Sequence, residues 1–323
     1  MKVLVLGASG HIGNILVSRL IAEGVDTVCA SRGQKKTNVP NSVILDTKDR
    51  DGLSEALNGV DAVINCVAGD AVSIAVGAGT LVDAAINAGL PRVIHLSTMS
   101  VYGKYEGVAT ENTPFDPTLG WYAAAKCRAE LEIKRYSDAG GTAAILRPGC
   151  VYGAGSKLWV GRIGQWLQAG RLGDLGAAGD GWSNLVHVND VCGAVVSALS
   201  LQLNAGELRS YNLSAPDSPR WNEYFTDLAR GIGAVPVKRL TAKQLTFDSK
   251  IISPPIKVVK IMLSKLGHQD NFLPEPLPPA LVRFFGQQIF LDSQQASKEL
   301  LPEWLSYEEG LKDSVSWFTK KSK

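Results

Sequence analysis

Long hydrophobic runs are missing from this chain. No uncharged apolar stretch in its 323 residues reaches the ~18 that span a bilayer, so no transmembrane segment is expected. An excess of either charge is missing too: 33 Lys and Arg face 31 Asp and Glu, a formal net charge of +2. Without a long basic run nothing points to a nucleic-acid partner. Cysteine is sparse and scattered. Cys29, Cys66, Cys127, Cys150 and Cys192 are odd in number and show no metal-type spacing, which reads as reduced, mostly buried thiols. The four histidines are equally dispersed, so no metal site is expected. No internal repeat or low-complexity tract occurs. The chain opens on an apolar strand with no room for a signal peptide, which makes the cytoplasm the expected compartment. What is present, 45% hydrophobic and 20% charged residues, is enough for a full core in one large or two closely joined domains.

The most informative segment is the first. Val3, Leu4, Val5 and Leu6 form a short apolar run of the kind a central parallel strand shows, and Gly7, Gly10 and Gly13 follow at once. Glycines at the end of such a strand let the backbone approach a pyrophosphate without a Cβ in the way. The helix that follows turns its N–H groups and the positive end of its dipole toward that anion. The loop residues Gly7, Ser9, Gly10, His11, Ile12 and Gly13 are therefore the expected dinucleotide contacts. The spacing, Gly-x-x-Gly-x-x-Gly, is one residue longer in its first half than the general fingerprint.

Strand and helix then alternate at a regular pace, the signature of an α/β fold with a Rossmann-type doubly wound parallel sheet. Strands are predicted at 2–6, 27–30, 43–45, 62–66, 92–97 and 143–147, with helices at 12–23, 51–57, 77–88 and 122–138. Asp190 is placed to cap a further helix over 191–199, and Tyr211 to Leu213 to add a strand at the sheet edge. After about residue 215 the pattern loosens. Prolines at 254, 255, 274, 276, 278 and 279 interrupt it around an amphipathic stretch, Ile256–Leu266, and a last helix falls near 307–318. The division expected is a dinucleotide-binding domain of residues 1–154 and 184–214, and a smaller C-terminal α/β substrate domain of residues 155–183 and 215–323.

The second strong signal is Tyr122-Ala-Ala-Ala-Lys126 at a helix start, after a strand that ends in Ser97-Thr98-Met99. Four residues apart on a helix is one face. An ammonium held beside a phenol is expected to lower its pKa from near 10 toward neutrality, making Tyr122 a general acid/base. Thr98 is placed to hydrogen-bond the substrate oxygen.

With these residues in hand, the chain resembles the extended short-chain dehydrogenase/reductase family, the NAD(P)-dependent epimerase/dehydratase group. Gly7-Ala-Ser-Gly-His-Ile-Gly13, Asp61-Ala-Val-Ile-Asn-Cys-Val-Ala-Gly69, Ser97-Thr-Met-Ser-Val-Tyr-Gly103, Tyr122-x-x-x-Lys126, Leu146-Arg-Pro-Gly-Cys-Val-Tyr-Gly153 and Val186-His-Val-Asn-Asp190 stand in that family's order across roughly the first 215 residues. The resemblance implies that Thr98, Tyr122 and Lys126 are the catalytic trio, with Lys126 also bonding the nicotinamide ribose. It places Pro148 to Val151 against the nicotinamide and Cys66, Val67 and Ala68 on the far side of the cofactor. One departure stands out: Val76 falls where the family commonly has asparagine. A homodimer through the Tyr–Lys helix and the helix before it is a further implication.

At the end of the second strand, Cys29-Ala-Ser31-Arg32-Gly-Gln-Lys35-Lys36 holds no carboxylate to bond the ribose hydroxyls of NAD, whereas Arg32 and Ser31 suit the 2′-phosphate of NADP. NADP is the expected cofactor, with NAD the alternative. Asp46-Thr47 sits where the family contacts the adenine, and Asp46 reads equally well as a loop-capping carboxylate. NADP points to net oxidoreduction of a ketone or secondary alcohol. The alternatives are a sugar-nucleotide epimerase or dehydratase, and a non-catalytic NADP(H) sensor or RNA-associated protein.

A small-molecule substrate is expected, with Met99, Tyr102 and Trp182 its candidate contacts. Lys157, Arg162, Arg171 and Arg220 would suit a diphosphate. Trp159, Trp166, Trp182, the 256–266 stretch and the segment from Phe272 to Phe285 would suit an apolar substrate, or would simply pack the small domain. Lys257, Lys260 and Lys265 leave weak contact with a membrane surface open.

Overall fold

A computed structural model describes residues 1–33, 41–265 and 273–321. The chain divides into two compact units, Met1–Gly149 with Val188–Ser214 and Leu291–Trp304, and Cys150–His187 with Ala215–Phe290 and Leu305–Lys323. The sequence-based division places 150–154, 184–187 and 291–304 differently. Lys35, Lys36, Leu266 and Phe272, named above, lie outside the described residues.

In the first unit β1 (Lys2–Leu6) leads through the glycine turn into α1 (His11–Ala22). β2 (Asp26–Ser31), β3 (Ser42–Ile44), α2 (Arg50–Ala56), β4 (Ala62–Asn65), α3 (Ala71–Asn87) and β5 (Arg92–Leu96) come next, then β6 (Gly107–Ala109), α4 (Trp121–Asp138) and β7 (Ala143–Pro148). After an excursion into the second unit, α6 (Val188–Leu199) and β10 (Leu208–Leu213) complete the sheet. Its seven strands run in the order β10-β7-β5-β4-β1-β2-β3, every neighbouring pair parallel. This is the Rossmann-type doubly wound fold. The main core fills the face under α2, α3 and α4 with Leu53, Leu57, Leu81, Val82, Ile133 and Tyr136, while α1 and α6 pack together by way of Arg19 and Cys192. Burial on this scale, at about 25 cal/mol per Å² of apolar area, drives the fold.

The register brings the functional segments side by side. Leu6 pairs with Asn65, and Asn65 with His95, so the chain leaves β1, β4 and β5 at one level of the carboxyl edge. Strand order reverses direction at β1, between β4 and β2, the place where open α/β sheets bind ligands.

Two helix starts differ from those predicted. α3 begins at Ala71, capped by the Asp70 carboxylate, which accepts the Ser73 N–H at 2.9 Å. Its first turns, rich in Ala, Ser and Gly, carry too little apolar contrast to show a period. α6 begins at Val188 directly after β9 (Leu185–His187), so Asp190 lies inside the first turn rather than at the cap, and it is buried.

In the second unit β8 (Cys150–Tyr152) pairs in parallel with β9. α5 (Ile163–Gln168), α7 (Trp221–Gly231), α8 (Ala242–Phe247), α9 (Ser253–Lys265), α10 (Pro279–Phe284) and α12 (Tyr307–Lys321) surround an aromatic core. There Trp221 stacks on Phe225 at 5.5 Å and meets Trp159 and Phe285 at 5.3 and 5.0 Å. Trp166 is buried and donates to the Glu275 carbonyl. Trp159 and Trp166 are thus packing residues of this unit. β11 (Ile289–Leu291) ends the excursion, and α11 (Gln294–Glu299) returns to the first unit.

Candidate active site

The glycine turn is a steric necessity. Gly7 has φ +78°, and a Cβ there would stand 3.0 Å from the Cys66 carbonyl; at Gly13 it would stand 2.3 Å from the Gly7 oxygen. Gly10 is the N-cap of α1 and brings no side chain to its first turn, while Ser9 and Gly10 are exposed and His11 and Ile12 half-buried. A helix N-terminus whose cap residue is a glycine with no side-chain cap bond fits a dinucleotide pyrophosphate. Cys66, Val67 and Ala68 follow β4 beside it. Burial pushes the Cys66 thiol up to about 12, so it stays protonated.

At the end of β2, Ser31 donates its hydroxyl to the Gly33 carbonyl at 3.2 Å. Arg32 reaches across to the start of α3, where its guanidinium donates to Ser73 Oγ at 3.1 Å and lies 3.6 Å from the Asp70 carboxylate. The Ser73 N–H and hydroxyl together hold that carboxyl well below the usual range. Asp46 takes the loop-capping role: it accepts the Lys48 N–H at 3.0 Å and its side chain meets the Lys48 ammonium. Thr47 is buried with its hydroxyl against Gly77, where a Cβ would come within 2.4 Å. Val76 is exposed on α3 and its carbonyl accepts the Thr80 hydroxyl.

Tyr122 opens α4, its ring packed edge-on to Trp121 at 5.7 Å and against the apolar cluster of Ile74, Ala78 and Ala125. Thr98 follows β5, nearly buried, and accepts the Ser100 N–H at 3.2 Å. The two hydroxyls interact. Burial raises the Tyr122 phenol above its ordinary value, and the hydrogen bond with Thr98 opposes that only in part. This corrects the lowered phenol expected from the sequence. The Lys126 ammonium donates to the carbonyls of Leu96 at 2.6 Å and Val67 at 3.1 Å. Lys126 is itself 2% exposed, and its burial, against the pull of Cys66 and Glu130, brings it down to about 8. It pins the segment after β4 to the end of β5.

Sequence reasoning missed what lies below. Glu130, one further turn along the face of Tyr122 and Lys126, forms a buried two-pronged pair with Arg147, whose Nη2 donates to Oε2 at 2.7 Å and Nε to Oε1 at 3.0 Å. Ser97 donates to the same carboxylate. Arg147 continues to the Tyr102 hydroxyl at 3.0 Å, and Tyr102 donates to Asn212 at 2.6 Å. The signal was available, since Glu130 keeps the four-residue spacing and Arg147 stands in the Leu146-Arg-Pro segment. Tyr102 is fully buried in this network, which removes it from the substrate contacts, and Met99 is buried beside it in sequence. His95, also buried, has no hydrogen-bond partner among the described residues and is held neutral by burial and then by Lys126.

Pro148 ends β7, buried in the first unit. Val151 and Trp182 belong to the second, where the Arg220 guanidinium lies 4.3 Å over the Trp182 ring. Of the four cations expected for a diphosphate, three are engaged, Arg162 with Glu275 at 3.2 Å, Arg171 with Asp248 at 2.8 Å and Arg220 with Asp180 at 3.6 Å, while Lys157 is exposed.

A family model described as NAD dependent epimerase/dehydratase family matches residues 3–214. The chain belongs to this family. Protein YeeZ of Escherichia coli strain K12 is 33% identical over 158 residues, 48% of this chain and 52% of YeeZ, so the chain spans about half the length of that relative. A 3-diazoavenalumate denitrifying reductase of a Streptomyces species is 29% identical over 265 residues, 75% of this chain and 85% of the reductase. Among solved structures, UDP-glucuronic acid 4-epimerase from Bacillus cereus in complex with UDP-glucuronic acid and NAD superposes with a TM-score of 0.75 at 20% identity. That match covers 99% of this chain and all of the other. Among the described residues no helix is long and apolar enough to cross a membrane.

Proposed function

We propose that this family member is an NADPH-dependent reductase that converts an apolar ketone to its secondary alcohol. The observation that carries the reading is the placement of Tyr122 at the start of α4, packed on the Ile74 and Ala78 face of α3 and one turn before the Lys126 that holds the ends of β4 and β5. Its phenol is held in the neutral form by burial and oriented by the Thr98 hydroxyl, which is the state of a proton donor at neutral pH. The nicotinamide, when bound, supplies the hydride. Tyr122 gives its phenolic proton to the carbonyl oxygen. Thr98 hydrogen-bonds the same oxygen and fixes its direction. Lys126, one turn on, offsets the negative charge left on the phenolate, and it holds the ends of β4 and β5 at a constant spacing. The glycine turn and the first turn of α1 bind the pyrophosphate.

Arg32, with no carboxylate at the end of β2, supports NADP over NAD. The Streptomyces relative, a reductase by name, favours reduction over epimerisation, and the pairing of Arg162, Arg171 and Arg220 speaks against a diphosphate-bearing substrate. The B. cereus structure, with its sugar nucleotide and NAD, favours the second reading, a sugar-nucleotide epimerase. The exposed Val72 and Val76 of α3 and Leu131 of α4 support a homodimer through that helix pair, which sedimentation velocity tests.

The deciding experiment follows NADPH oxidation over a panel of apolar ketones, with Tyr122→Phe as the control. The variant is expected to lose about 10²–10⁴ in rate while NADPH still raises its melting temperature. Full activity in the variant, or turnover of a UDP-sugar with no net use of NADPH, overturns the reading.

A further inference from the structure

α9 leaves most of its apolar residues uncovered, although a helix at a protein surface ordinarily turns its apolar side inward. At about 3.6 residues per turn, Ser253, Ile256, Lys260 and Leu263 make one narrow stripe of mixed polarity, and this stripe is the side that docks, while Lys257 and Ser264 are exposed. Ser253, the one buried residue of the helix, accepts the Leu277 N–H at 2.7 Å and the Arg171 guanidinium at 3.0 Å and donates to Asp248 at 3.0 Å. Lys260 pairs with Glu275. The broad apolar side faces out. Val258, Val259, Ile261 and Met262 are 43–59% exposed, and Phe247 and Ile251 just before the helix are 58% and 59% exposed. Exposed apolar side chains concentrated in this way mark an interaction surface.

The charges around the patch name the partner. The exposed ionisable side chains between 241 and 265 are Lys243, Lys250, Lys257 and Lys265, all cationic. The single carboxylate in that span, Asp248, is engaged by Arg171 at 2.8 Å. A second copy of the chain would meet this face with the same lysines, like charge against like, because a two-fold contact sets a patch on itself. An anionic bilayer offers the complement of both parts, an acyl boundary for the apolar side chains and phosphates for the lysines. We propose that α9 and the turn before it form a peripheral docking surface for anionic phospholipid membranes. This surface needs neither cofactor nor turnover, so it stands apart from the reductase reading.

The test is co-sedimentation of the full chain with extruded phosphatidylcholine vesicles, with and without phosphatidylglycerol, at low salt. The protein is expected to pellet with the anionic vesicles, to be released by salt, and to stay largely in solution with phosphatidylcholine alone. Lys250→Gln with Lys257→Gln should weaken binding on the order of twentyfold. Ile261→Asp with Met262→Asp should abolish it. All four side chains are exposed, so the variants keep the fold, which an unchanged melting temperature verifies. Wild-type protein left in the supernatant beside anionic vesicles, or variants that pellet like it, overturns the proposal. So does a lipid-free dimer that the aspartate variant splits, because the patch would then belong to a second copy.

Discussion

α4 and α9 both depart from the usual helix, in opposite ways. α4 carries Lys126 and Glu130 inward, each below 3% exposure, whereas α9 carries Val258 and Met262 outward, each above half. The inward charges of α4 are tolerated because each has a partner: two carbonyls for Lys126, a guanidinium and a hydroxyl for Glu130. No fold needs such costly groups for stability alone, and they lie under the hydroxyl pair that would move a proton. α9 shows the converse. Its inward polar groups make a modest set of bonds, and what distinguishes it is the apolar surface left uncovered. Departures from the amphipathic rule concentrate where a protein acts on something other than itself.

The comparison can be broken most forcefully at Glu130. Glu130→Ala leaves the Arg147 guanidinium buried without its carboxylate, and a loss of about 3–5 kcal/mol is expected in urea unfolding. A variant as stable as wild type would show that the inward charges are idle. Arg32 is an intermediate case, a surface cation already beside a carboxylate. Arg32→Ala should raise the KM for NADPH by about ten- to a hundredfold and leave that for NADH in place, as steady-state kinetics with both cofactors would report. An equal loss for both would remove Arg32 from cofactor choice.

Lys126 sharpens the α4 side through pH. Its ammonium, brought down to about 8 by burial, is present below that value and is lost as pH rises through it, while the raised Tyr122 phenol keeps its proton over the same window. Reduction rates should therefore fall above about pH 8, and a profile flat to about pH 10 would take the ammonium out of the mechanism. The smallest effect belongs to α9. Val258→Ser should change stability by less than about 0.5 kcal/mol, and a larger loss in thermal unfolding would mean that this face is covered within the chain.

Features with a local cause were legible in the sequence. β1 and the glycine turn follow from an apolar run and from positions where a Cβ would strike backbone, and Tyr122 and Lys126 follow from one turn of helix. Glu130 was not read because a carboxylate on a helix ordinarily faces water, and only its distant partner Arg147, from β7, makes it an interior residue. Periodicity disclosed the stripes of α9 but carries no information on which stripe docks. The lowered Tyr122 pKa was inferred from the spacing of Lys126 alone, and spacing does not disclose that Leu96 and Val67 present carbonyls to the same ammonium. The three-residue β11 and six-residue α11 were too short to register as periodic elements, so the return of the chain to the first unit was invisible.

That return bears on the order in which the protein can be made. Tyr211 on the edge strand β10 donates to Glu299 at 2.6 Å, Arg209 pairs with the same carboxylate at 3.0 Å, and the Ser214 N–H donates to Ser293 at 2.9 Å. A ribosome that has released the first 214 residues has delivered every strand of the large sheet and none of these partners. The open flank of β10 is sealed only after the whole of the excursion through 215–290 has been synthesised. The nascent first unit thus waits, with an unfinished edge, on a segment translated some eighty residues later.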